Sequence, residues 1–247
     1  MKMIKMAKTS PCAPVERNEA WWLACSDPDE MLAFIRPNDP SERHLRLYAI
    51  ACCVGSPFAT APVLESAFRL AEGLATEAER QAACRTVPAL DAVWCGANHW
   101  HRTAVLSVLA ARAREAAAEA ARNVVEANAS AAQYAASLMG YGSASERESA
   151  REHAADQVRQ EHAALLRDVF NPFWQPCLDS LNIVTRDEPI RTLAQRIYAD
   201  HDFRRMPLLA ESLARAGCRD ADIMQHCRSS GRHVRGCWVL DWILGKD

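Results

Sequence analysis

The sequence predicts an all-α fold: a multi-helix bundle with a long antiparallel helical hairpin and a small C-terminal helical subdomain. Three observations carry that expectation. Helix caps and three- to four-residue apolar spacings recur, while strand-like alternation hardly appears. From Ala104 to Met139 the chain is dominated by alanine, the residue with the best intrinsic helix propensity. A glycine-bearing break, Gly140 to Ser145, then separates that run from a polar helical stretch ending near Phe170, the pattern of two antiparallel helices joined by a short turn.

Along the chain, Ser26-Asp27-Pro28-Asp29-Glu30 opens a short helix. It supplies a cap residue, a proline at the first turn and acids where the helix dipole favours them. Pro37 and Pro40 end it near Ile35. Ser41 opens an amphipathic helix whose buried stripe is Leu45, Tyr48, Ala49 and Cys52. A helix over 61–73 stops near Gly73, and Thr76 with Glu79 has the capping-box pattern for the next. The charges on the second hairpin helix, such as Arg147, Glu148, Arg151 and Glu152, read as a solvated face.

The segment Asn171 to Pro176 cannot continue a helix, because proline lacks the donor and restricts the residue before it. It marks the expected boundary of three regions: a tail over 1–17, a helical bundle over 18–170 and a C-terminal helical subdomain over 171–247 packed on it. That last region should hold helices near 187–199, 205–216, 220–228 and 234–244, with Gly217 as a left-handed cap.

Composition narrows the function classes. The chain of 247 residues is 49% hydrophobic with a formal charge of −2, which excludes collagen and bulk disorder and argues against a partner gripped mainly by charge. Lysine occurs only at Lys2, Lys5, Lys8 and Lys246, so arginine supplies the other cations, a bias expected of a GC-rich genome. No stretch reaches the ~18 consecutive apolar residues of a membrane span, and the N-terminus lacks a secretory core. Cytoplasmic residence is therefore expected, and the ten cysteines read as buried thiols, metal ligands or reactive groups rather than disulfides.

Both ends of the chain resemble an uncharacterised helical bacterial family found as many paralogues in large GC-rich genomes. Trp22-Leu23-Ala24-Cys25-Ser26-Asp27-Pro28, Arg43 to Leu47 and Ala51-Cys52-Cys53 carry the likeness at one end. At the other it rests on Leu193 to Tyr198, Met206 to Ala210, Ala216 to Ile223, His226-Cys227-Arg228 and His233-Val234-Arg235-Gly236-Cys237-Trp238. The resemblance implies a fold and no chemistry. Two departures stand out: Val54-Gly55 where the family follows its cysteine pair with basic residues, and Ser230-Gly231-Arg232 where it has Pro-Gly-Pro.

The densest group of potential ligands is Cys218, His226, Cys227, His233 and Cys237. If a helix starts near Val234, His233 and Cys237 lie one turn apart on one face. Cys227 with His226 or Cys218 could then complete a zinc site, although cysteines on the buried faces of short helices explain the same residues. Cys95, His99 and His101 form a sparser group. A Cys237–His233 nucleophilic pair lacks an identifiable orienting acid, since Asp241 reads as solvent-exposed.

Arginine outnumbers acid between Arg186 and Arg235, and the helices about Gly217 outline a helix-turn-helix. Asp220 and Asp222, however, stand where phosphates would approach, which makes a nucleic-acid partner an unfavoured reading. No phosphate loop, dinucleotide fingerprint, zinc-protease helix or nucleophile elbow is present, so no catalytic or cofactor-binding residues are assigned. The leading expectation is a non-enzymatic protein–protein interaction role as an adaptor, regulatory or conflict-system component. Of the tryptophans, most should be core anchors and one or two interface hot spots. A zinc-binding protein is the alternative, and zinc the one cofactor considered.

Overall fold

Side-chain caps set where the helices begin. The computed structural model describes residues 17–89, 96–139, 143–176 and 187–246. In the first half, Asn18 caps α1 (Glu19–Ala24), Asp27 caps α2 (Pro28–Ile35) and Ser41 caps α3 (Glu42–Cys53), each side chain accepting a backbone N–H of the first turn. Pro62 lies in the first turn of α4 (Ala61–Ala71), and Thr76 with Glu79 closes a complete capping box on α5 (Glu77–Thr86). Then come α6 (Gly96–Val108), α7 (Ala113–Leu138) and α8 (Ala144–Val169), the last opened by a second capping box between Ser143 and Glu146. The remaining helices are α9 (Glu188–Asp200), α10 (Met206–Arg215), α11 (Ala221–Arg228) and α12 (Trp238–Leu244). Helix accounts for 74% of the structure and no strand occurs among the described residues, so the fold is the expected all-α multi-helix bundle.

The alanine-rich run is not one helix. It is divided between α6 and α7, with a break over 109–112. Propensity favours helix throughout this stretch, but a distant side chain decides otherwise. The guanidinium of Arg46 on α3, only 7% exposed, donates to the carbonyls of Ala110 at 2.8 Å and Ala111 at 2.6 Å. Those acceptors are thereby satisfied outside any helix, and the chain reverses about a buried Leu109.

The small side chains of α7 serve packing. Ala113, Ala116, Ala117, Ala120 and Ala121 are all buried, so α3, α6 and α8 approach it closely. One apolar cluster joins α3 to α6 and α7 through residues such as Leu47, Ile50, Val105 and Ala116. Another joins α1, α2, α3, α7 and α8 through Trp22, Met31, Tyr48 and Leu166. α7 and α8 run antiparallel: Arg151 in the first third of α8 pairs with Glu126 midway along α7, while Ala163 and Leu166 share a cluster with Ala113 and Ala117 at the unjoined end. Residues 140–142, where a turn is expected, and residues 1–16 of the expected tail lie outside the described residues.

A separate cluster is built from α9 to α12, with Ile197, Leu209, Ile223 and Leu240 at its centre. The Asn171–Pro176 segment is pinned to it. Trp174 packs on Trp238 and Trp242 at ring separations of 4.7 and 5.2 Å, and its indole N–H donates to Asp220 at 3.0 Å. Gly217, at φ +94°, provides the expected left-handed cap after α10.

Candidate metal centre

The site forms where the last turns of α8 meet the loop between α11 and α12. Asp168 is buried in the final turn of α8, beside the apolar residues Leu165, Leu166 and Val169 that anchor that helix. His226 lies in the last turn of α11, and His233 in the following loop. The expected helix start near Val234 is not found: Cys237 is the N-terminal cap of α12 and the preceding residues form a turn. Gly236 makes that turn possible. Its φ is +91°, and a Cβ there would meet the Leu47 side chain of α3 at 3.0 Å. Val234 seats in the core beneath, and its N–H donates to Asp168 Oδ2 at 2.8 Å.

Three chain segments therefore bring four ligand-type atoms together. Asp168, His226, His233 and Cys237 each offer one, all within 4.8 Å of one another. His233 Nδ1 lies 2.6 Å and His226 Nε2 3.1 Å from Asp168 Oδ1. His226 Nε2 is also 3.1 Å from the Cys237 sulfur, which stands 4.0 Å from His233 Nδ1. Zinc bonds of about 2.0–2.3 Å would separate tetrahedral donors by about 3.3–3.6 Å, a value these distances bracket.

Without an ion the same groups satisfy one another. The Trp238 indole N–H, which can only donate, points at His226 Nδ1 at 3.1 Å. That bond assigns the His226 proton to Nε2, where it faces Asp168 and Cys237. His233 donates from Nδ1 to Asp168, leaving Nε2 to accept from Ser229 Oγ at 3.4 Å. Burial pushes the Asp168 carboxyl up, but hydrogen bonds from His226 and His233 outweigh it and hold the group below its ordinary range. Cys237 is fully buried, and burial with the neighbouring Asp168 charge raises its thiol well above the usual value. A protonated, inaccessible sulfur is not an activated nucleophile, although it does sit at a helix N-terminus.

Of the five residues singled out in the sequence, His226, His233 and Cys237 thus converge. Cys218 and Cys227 belong to the apolar cluster of α9 to α12 and are not among the converging donors; burial pushes the Cys227 thiol up to about 12. The member missed is Asp168, hidden by the run of solvated charges preceding it on α8. A local signal existed: it is an acid set among Leu165, Leu166, Val169 and Phe170, a stretch too apolar to face water.

One other expectation is corrected. Asp241 is 2% exposed, accepting from Arg43 at 2.6 Å and approaching His44 Nε2 at 2.9 Å, and so supports α12 rather than facing solvent. Asp220 caps α11, its side chain accepting the N–H groups of Asp222 and Ile223. Of the described tryptophans, Trp22 and Trp238 are buried, and Trp21, Trp100, Trp174 and Trp242 are half-buried. Cys95 and Trp94 lie outside the described residues. No described helix is long and apolar enough to cross a membrane.

Comparison with protein-family models, with curated proteins and with solved structures finds no match to this chain.

Proposed function

We propose that this chain is a zinc-binding helical protein whose ion clasps the α11–α12 loop to the end of α8. The convergence of Asp168, His226, His233 and Cys237 carries the reading. Carboxylate, imidazole and thiolate are the donor types zinc takes, and four protein donors make a closed, structural site rather than one with an open catalytic position. The donors come from both sides of the Asn171–Pro176 segment, so an ion shared among them contributes folding energy directly.

Binding requires Cys237 to lose its proton and both imidazoles to exchange tautomers. For His233 that exchange is easy, because the Ser229 hydroxyl can accept as readily as donate. For His226 it sets a new Nδ1 proton against the Trp238 indole N–H, so the indole must leave its place. Seven described cysteines are free thiols, which suits the reducing cytoplasm.

An adaptor role has less support. Of the large exposed apolar side chains, Tyr134, Leu138 and Met139 group at the end of α7, while others such as Leu23, Leu74 and Leu208 come from separate segments, and nothing in the structure marks what would cover them. The test of the zinc reading is elemental analysis of protein equilibrated with zinc and then desalted, beside thermal melting with and without chelator. Close to one zinc per chain and a lower melting temperature after chelation support it. Less than about a tenth of an equivalent, or melting indifferent to chelator, rejects it.

A further inference from the structure

Away from the metal centre, a cavity of about 350 Å³ opens between α3, α6, α7 and α8, a size that suits a small metabolite. Its walls include Ala51, Val54, Val124, Val158 and Leu165, which would accommodate a short hydrocarbon portion. Two imidazoles also line it, and each has a buried Nδ1 without a hydrogen-bond partner: His101 on α6 and His162 on α8. The His162 residue is only 3% exposed. Leaving such an atom unpaired costs about 1–3 kcal/mol, and the two rings that carry these orphan nitrogens both stand in the cavity wall.

The groups around the cavity define the chemistry of that occupant. Burial, then the charge of Arg232, hold His162 down at about 4, and burial also lowers His101. Near neutral pH both rings are uncharged and can each donate one N–H. Arg232 at the mouth supplies a fixed cation with a fork of donors suited to a planar carboxylate. Asn128 spends its amide N–H on Val124 O at 2.9 Å and keeps its oxygen. Glu161, exposed at the rim, opposes a multiply charged anion.

We infer that this cavity is a binding site for a small aliphatic monocarboxylate, its carboxylate held between Arg232 and the buried His162 and its hydrocarbon part against the Val124 and Leu165 wall. The apolar wall and Glu161 disfavour inorganic phosphate. The site shares no ligand with the metal centre, so the two readings stand or fall separately.

The test is a histidine ring-nitrogen NMR titration of the full chain at neutral pH, assigned by single-histidine substitutions. Sodium salts of the straight-chain acids from acetate to hexanoate are compared with phosphate and chloride at matched ionic strength. Saturable shifts of His162 and His101 with at least one monocarboxylate are expected, weakened at least about tenfold in Arg232→Gln while zinc content is unchanged. Arg232 is exposed, so that variant removes no core contact. No saturable shift with any acid, which leaves water as the occupant, overturns the inference. So does tighter binding of phosphate, or shifts that Arg232→Gln leaves intact.

Discussion

The indole N–H of Trp238 donates to Nδ1 of His226 at 3.1 Å, and this one bond fixes which nitrogen of that imidazole holds its proton. The Nε2 proton then points at Asp168 and Cys237, the two groups beside which an ion would sit. Trp238 therefore opposes metal binding and should report it. Zinc should change the intrinsic tryptophan fluorescence, and Trp238→Phe should bind zinc about tenfold more tightly by competition with a chromogenic chelator, the equivalent of roughly one hydrogen bond. Weaker binding in that variant would show that the indole assists the site.

Asp241 anchors a second buried network. Arg43 bonds both Asp241 and Glu72, at 2.6 and 3.1 Å, and the Tyr198 hydroxyl donates to Glu72 at 2.6 Å. Burial raises the Glu72 carboxyl, but the Arg43 and Tyr198 bonds prevail and bring it down to about 2. Replacing Asp241 with alanine leaves a cation buried without its nearest partner. We expect a loss of about 3–5 kcal/mol by urea unfolding, with zinc stoichiometry retained, since no Asp241 atom belongs to the metal group.

His162 gives a pH dependence of defined sign. Its folded value of about 4 lies below the ordinary 6.5, so the unfolded chain binds more protons between those limits. The stabilisation is complete above about pH 6.5 and is lost progressively as pH falls toward 4. The full window is worth on the order of 3 kcal/mol. The unfolding free energy of the wild type should therefore fall relative to that of His162→Phe by about this amount on acidification across that window; parallel profiles would contradict the assignment.

Arg46 accounts for the break between α6 and α7. Arg46→Met keeps much of the side chain's bulk but leaves the Ala110 and Ala111 carbonyls without their donor. A destabilisation of about 2–4 kcal/mol is expected, together with faster amide hydrogen exchange at residues flanking the break. Unchanged exchange there would mean that packing alone sets the turn.

What could be read from the sequence follows the range of the interaction involved. Asp27, Thr76 with Glu79, Ser143 with Glu146 and Gly217 act within one turn of themselves, and each stands where local chemistry places it. The α6–α7 break was not legible, because its cause lies on α3, far away in sequence. The metal group was half legible: His226, His233 and Cys237 are close along the chain, whereas Asp168 arrives from another helix. Gly236 appeared only as part of a resemblance, and the Leu47 contact that demands glycine there belongs to the packed structure.

The central claim is a four-donor site completed by the Cys237 sulfur. Cobalt(II) substituted for zinc tests it most directly, through the absorption spectrum of the full chain. We predict the intense visible bands of four-coordinate cobalt with a near-ultraviolet thiolate-to-cobalt band, and loss of the latter in Cys237→Ser. Only the weak spectrum of hydrated cobalt, or a thiolate band that survives Cys237→Ser, would contradict the account.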